Sequence, residues 1–233
     1  MSELKEALKA SYHLYDRERS SCARRVRIAL ALKAVPNVIL HDVDMTAKEH
    51  ITDAYRALNP SGAVPTLVVE MQSQSGGTSK FVLTQSTAIL EYLDEVFPNL
   101  CPLLPPVTEV EQRAKVRELV AIVTQDIFPF VNRRNADRIR EIRDSEDDQL
   151  AFVTRFLYEG FDAYEKIMEN GEACGAKFSV GENVTLADVC LVPQVLQAKM
   201  WGVDVCEYGH RWPLINSVIG GLEKIEAFGR EMG

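Results

Sequence analysis

The spacing of apolar positions changes partway along the chain. Up to about residue 98, short strand-like runs alternate with helical ones. Tyr12–Tyr15 is a short aromatic run suited to a strand. Over residues 21–34, Val26, Ala29, Leu30 and Lys33 fall at helical spacing, and Pro36 ends the run. Val38–Val43 reads as a second strand. Residues 47–58 read as a helix closed by Asn59-Pro60. Thr66–Val69 and Phe81–Leu83 read as two strands, with a Gly76-Gly77 turn signal in the insert between them. Residues 87–96 complete this part as a helix that stops before Pro98. The order is β-α-β-α-β-β-α, a small α/β layer fold.

Beyond about residue 106 the strand pattern is gone. Residues 107–135, 146–169, 185–200 and 213–229 are helix-like. The proline-rich stretch Cys101–Pro106 separates the two patterns, because proline suits neither a helix interior nor a central strand. The expected layout is an α/β domain over 1–98, a linker over 99–106 and an all-helical domain over 107–233.

Composition narrows the function classes. The net charge of −8 argues against non-specific nucleic-acid binding, which needs a basic field. No apolar run approaches a membrane span, and the first ten residues lack the apolar core of a signal peptide. The five cysteines (Cys22, Cys101, Cys174, Cys190, Cys206) are odd in number and form no CxxC pair, and the four histidines form no HxxxH pair. A reduced, cytoplasmic, metal-free protein is expected.

Four segments carry candidate chemistry. In Ser20-Ser21-Cys22, at a strand-to-helix junction, a serine serves as an N-cap. The same position gives a hydroxyl at the positive end of a helix, where it can donate to an anion and where a thiolate is favoured. In Ala57–Leu67, Val64-Pro65 precedes a strand, and proline there suits a first strand residue or a cis turn. A cis turn would expose the Val64 main chain to a peptide-like ligand, as an added strand would be held. In Thr84–Pro98, Ser86 is the expected N-cap. Ile89 stands where a capping box would put Glu or Gln, so the helix N–H groups remain open to a ligand carboxylate, with Gln85 as an amide donor. Thr185 and Asp188 predict a capping box of structural role. The sequon at Asn183 is discounted, because nothing indicates secretion.

In this order the blocks SSCxxRVRIALALK, NPxxxVPTL, QSxAIxEYL and ADxCLVPQ resemble the zeta class of soluble glutathione transferases, from about Tyr12 to Phe228. The resemblance implies a thioredoxin-like N-terminal domain, a helical C-terminal domain and a homodimer using glutathione. It implies glutathione-dependent cis–trans isomerisation of maleylacetoacetate to fumarylacetoacetate, in phenylalanine and tyrosine catabolism. Position by position, Ser20 matches the activating serine, with Ser21 and Cys22 beside it. Val64 and Pro65 match the residues that hold the cysteinyl backbone, and Gln85 and Ser86 those that hold the γ-glutamyl carboxylate. His50 matches a polar residue reaching the glycine end. Arg19 and Arg134 match arginines that hold substrate carboxylates. The chain departs from the family at Arg24, Ala63, Phe128 and Met200. Met200 replaces a further arginine, for which Lys199 or Arg211 are candidate substitutes. Other activities open to these parts are conjugation of small electrophiles such as α-halo acids, mixed-disulfide chemistry at Cys22, and non-catalytic glutathione binding.

Overall fold

The computed structural model describes residues 6–72, 77–170 and 176–233. Two compact units divide the chain, Met1–Pro102 and Leu103–Gly233.

In the first unit a four-stranded sheet has the order β2-β1-β3-β4, from β1 (Ser11–Asp16), β2 (Val38–Asp42), β3 (Thr66–Gln72) and β4 (Thr78–Thr84). β1 and β2 are parallel, and β1–β3 and β3–β4 are antiparallel. This mixed sheet with its helices is the thioredoxin-like arrangement. Period-two burial places Tyr12, Leu14 and Asp16 on one face of β1. Leu67, Val68 and Val69 are all buried, as expected for a strand inside the sheet. α1 (Ser21–Leu32) and α3 (Ser86–Val96) pack against each other, burying Val26, Ala29, Ile89 and Leu93.

Several boundaries differ from the periodicity reading. α1 stops at Leu32, and Ala34 then turns with φ +46° ahead of Pro36. The helix expected over 47–58 is two pieces, a 3-10 turn at Glu49–Ile51 and α2 (Asp53–Leu58). Thr52 separates them: it is extended, and its side chain caps α2 by accepting from the Tyr55 N–H. β3 and β4 run further than expected, because ladder pairing continues through polar residues to Gln72↔Thr78. Gly76 of the expected turn lies outside the described residues, as does Cys174.

The second unit is helical: α4 (Val110–Ala121), a π-helical turn (Ile122–Ile127), α5 (Phe128–Val131), α6 (Arg133–Arg143), α7 (Glu146–Asn170), α8 (Leu186–Met200), α9 (Pro213–Leu222) and α10 (Glu226–Met232). The single helix expected over 107–135 is thus interrupted twice, by the π turn and at Asn132, which is extended and caps α6 through the Arg134 N–H. α8 is buried nearly all round. Its start is the expected capping box, with the Asp188 carboxylate accepting from the Thr185 N–H at 2.7 Å and the Ser179 N–H at 2.9 Å. Leu103 is fully buried and its carbonyl accepts from the Leu186 N–H at 2.8 Å, which anchors the start of this unit to α8. Among the described residues no helix is long and apolar enough to cross a membrane. The four described cysteines are free thiols.

Candidate active site

Strand register brings the first-unit candidates to one end of the sheet. His41, Tyr15, Thr66 and Thr84 form a single row across β2, β1, β3 and β4. At that row β1 leaves toward Ser20, β2 leaves toward His50, β3 arrives from Val64-Pro65, and β4 leaves into Gln85-Ser86.

The loop carrying Arg19 and Ser20 is held by charge. Arg27 on α1 donates from Nη1 to both Asp16 carboxylate oxygens, at 2.7 and 2.5 Å, and from Nη2 to the Glu18 carbonyl at 2.8 Å. Asp16 also accepts the Arg17 N–H, and the Ser20 N–H donates to the Arg17 carbonyl. Ser20 is the N-cap of α1, its Oγ accepting from the Ala23 N–H at 3.3 Å. The cap and the anion-donor readings are therefore compatible, because a hydroxyl acting as acceptor still has its proton to give. Ser21 is buried and Cys22 half-buried in the first turn. The first turn of α1 has no acidic residue to quench the helix dipole. Arg19 is exposed and has no ion-pair partner among the described residues.

Val64-Pro65 is a cis peptide. The loop before it is pinned by side chains. Tyr55 Oη donates to the Ala63 carbonyl at 2.8 Å and lies 3.1 Å from Thr66 Oγ1. Asn59 Nδ2 donates to the Ala63 carbonyl and to Thr66 Oγ1 at 2.6 and 3.0 Å, and its Oδ1 accepts from the Ser61 N–H and hydroxyl. The Val64 N–H and C=O have no hydrogen-bond partner among the described residues. Gly62 has φ +58°, and a Cβ there would sit 3.0 Å from the His50 carbonyl, so glycine permits the two loops to meet. His50 is thereby placed in the 3-10 turn and not in a helix.

Ser86 is not the N-cap that the sequence suggested. Gln85 occupies that position, with φ +71° and no side-chain cap bond, and Ser86 is the first helical residue. The N–H groups of Ser86, Thr87 and Ala88 have no partner among the described residues, and the first turn holds no acid. The Ser86 hydroxyl, 6% exposed, accepts from Arg25 Nη1 at 3.2 Å.

Sequence pattern alone does not single out Arg25, Arg27, Asp16, Tyr55 or Asn59. One signal was available for Arg25: it recurs with Ala29 and Lys33 every four positions, so it is a cation within the buried stripe of α1.

Arg134 lies on the second unit, exposed, in the first turn of α6. The two residues considered as substitutes for a cation at Met200 are both committed. Lys199 is 2.9 Å from Asp204, and Arg211 makes a two-point bridge to Asp162 at 2.9 and 2.6 Å while lying over Tyr158. Met200 itself is exposed.

Residues 19–96 match the family model described as the glutathione S-transferase N-terminal domain. The chain is 40% identical to the maleylacetoacetate isomerase of Emericella nidulans over 92% of its own length and 88% of that protein. Among solved structures, a bacterial maleylpyruvate isomerase, described as a zeta-class glutathione S-transferase, superposes with a TM-score of 0.80 at 37% identity, covering 94% of this chain and 95% of that one. The maleylacetoacetate isomerase of Anaeromyxobacter dehalogenans, with glutathione bound in its active site, gives 0.79 at 33% identity, covering 95% and 94%. With this sheet, this cis-proline loop and these helix starts, the chain belongs to the zeta-class glutathione transferase family, that of the maleylacetoacetate isomerases.

Proposed function

We propose that the protein is a glutathione-dependent cis–trans isomerase of maleylacetoacetate, acting in phenylalanine and tyrosine catabolism as a cytoplasmic homodimer. The observation that carries this reading is the set of unclaimed hydrogen-bonding groups at one end of the sheet: the Ser20 and Ser86 hydroxyl protons, the Val64 main chain, and the first N–H groups of α3. They fit a tripeptide with a thiol in the middle and a carboxylate at one end. The Val64 N–H and C=O pair with the central peptide as a neighbouring strand would. Ser86, its N–H and Gln85 take the γ-glutamyl carboxylate, and His50 lies toward the glycine end. A relative with glutathione bound in its active site supports glutathione as the cofactor.

When bound, glutathione supplies a nucleophilic sulfur that adds reversibly to the activated double bond, so that the bond can rotate. Ser20 holds that sulfur ionised: its Oγ is already an acceptor from Ala23, so its proton is directed to the anion. The α1 dipole acts in the same sense. Arg19, exposed on the first unit, takes a carboxylate of the substrate. Ser21 and Cys22 line the thiol position. The first domain carries the glutathione subsite.

One observation favours a second substrate class. Met200 removes a cation, and Lys199 and Arg211 are spent on Asp204 and Asp162. Conjugation of smaller, singly charged electrophiles such as α-halo acids fits that loss. Parallel assays of maleylacetone isomerisation and chloroacetate conjugation, each with and without glutathione, separate the two. Faster isomerisation supports the first reading, and conjugation without isomerisation supports the second.

A further inference from the structure

A single buried guanidinium joins two helix starts. Arg25 on α1 is 1% exposed. Its Nη1 donates to Ser86 Oγ at 3.2 Å and approaches Cys22 Sγ at 3.7 Å. Ser86 follows it in sequence by 61 positions, so the fold alone brings the two together.

The direction of the Arg25–Ser86 bond is fixed by chemistry. A guanidinium has donors and no acceptor, so Ser86 must be the acceptor. The serine proton then points away from Arg25. Among the described residues that proton has no acceptor, although the side chain is buried. A buried hydroxyl with one lone pair engaged by a cation and its proton unclaimed is set to donate to an anion entering from outside. Without Arg25 the hydroxyl could rotate and present a lone pair to the same ligand.

We propose that Arg25 is a positioning residue for glutathione: it fixes the Ser86 hydroxyl as a donor and thereby selects ligands that bring a carboxylate to the start of α3. The inference rests on the reading of this unit as a glutathione site, and it adds a residue that never touches the ligand. Arg25 also polarises the hydroxyl by donating to it, which strengthens the bond that Ser86 makes outward.

The test compares two ligands that differ only in that carboxylate, glutathione and γ-aminobutyryl-cysteinylglycine. Their affinities are measured by calorimetry for the full chain and for Arg25→Lys, Arg25→Met and Ser86→Ala. Wild type should prefer glutathione by about 10-fold or more, the worth of one charge-assisted hydrogen bond. Arg25→Met and Ser86→Ala should each lose most of that preference, while binding the decarboxylated ligand almost as wild type does. Arg25→Lys keeps a positive charge in the core, so it protects the fold if Arg25→Met does not accumulate. Its flexible ammonium lacks the fixed fork, so its preference should fall as well. A merely structural role would weaken both ligands equally and leave the ratio unchanged. An unchanged ratio in either Arg25 variant overturns the inference and leaves the glutathione reading standing. Failure of wild type to bind glutathione overturns the reading itself.

Discussion

The phenolic oxygen of Tyr55 lies 2.8 Å from the main-chain oxygen of Ala63, the residue immediately before Val64. Asn59 reaches that same oxygen from the other side, at 2.6 Å. The loop that presents Val64 is therefore set from α2 and from its own start, independently of any ligand. Because Asn59 also holds Thr66 and Ser61, its loss should cost more than that of the tyrosine hydroxyl. Tyr55→Phe should destabilise by about 1 kcal/mol and Asn59→Ala by about 2–3 kcal/mol. Urea unfolding of both variants checks this, and a larger loss in Tyr55→Phe would contradict it.

A second buried cation closes the first unit. Lys33 Nζ is 2.8 Å from Asp94 Oδ1 and donates to the carbonyls of Phe97, Leu100 and Cys101 at 3.0–3.2 Å, with its side chain fully buried. Lys33→Met would take the ammonium away from a carboxylate that is only 13% exposed and from three carbonyls that follow α3. The expected loss is about 3–5 kcal/mol. A loss below about 1 kcal/mol in chemical denaturation would mean that water replaces the ammonium.

These two cations show where the sequence was legible. Ser20, Val64-Pro65 and Thr185–Asp188 were readable because caps and proline turns are decided within a few residues. Arg25 and Lys33 sit in a plain apolar stripe, but their partners Ser86 and Asp94 are each 61 positions away and only folding reveals them. Periodicity ends the helix at 135, inside α6, because RRNADRIREIR carries little apolar pattern and Ala136 is its one buried residue. Ser86 was misplaced as a cap because Gln85 at φ +71° is an unusual cap, and nothing in its side chain announces it. The π turn at 122–127 likewise has no local composition signal.

That turn has a detectable partner. A Cβ on Gly160 would come within 2.1 Å of Ile127 Cγ1, so α7 passes the π turn only because residue 160 has no side chain. Alanine normally favours a helix over glycine by up to about 1 kcal/mol. Here Gly160→Ala should instead destabilise, by about 1–3 kcal/mol of overpacking. Combining it with Ile127→Ala should cost less than the sum of the two single changes. Full additivity in denaturant unfolding would contradict the contact.

A pair of imidazoles makes the sheet acid-sensitive. His13 Nδ1 and His41 Nε2 are 2.9 Å apart, His41 stacks on Tyr15, and Glu70, which faces His13, is paired to Lys80. Burial, and then the His13 imidazole, hold the His41 pKa below its ordinary 6.5. The unfolded chain thus takes up the proton before the folded one. The contribution of His41 to stability is full above pH 6.5 and declines as pH falls from there toward the lowered value. His41→Gln should flatten that slope. Equal slopes between pH 7.5 and 5 in the two proteins would remove His41 from the account.

The most direct test of the central claim follows maleylacetone isomerisation with no glutathione, with catalytic glutathione, and with S-methylglutathione, while titrating free thiol throughout. Trans product is expected only with glutathione, with many turnovers per glutathione and an unchanged thiol titre at the end. No reaction is expected with the blocked thiol, and the rate should be roughly 10- to 150-fold lower in Ser20→Ala from the lost charge-assisted bond. Isomerisation at the same rate without glutathione, or a full wild-type rate in Ser20→Ala with a dead Cys22→Ser, would contradict the claim.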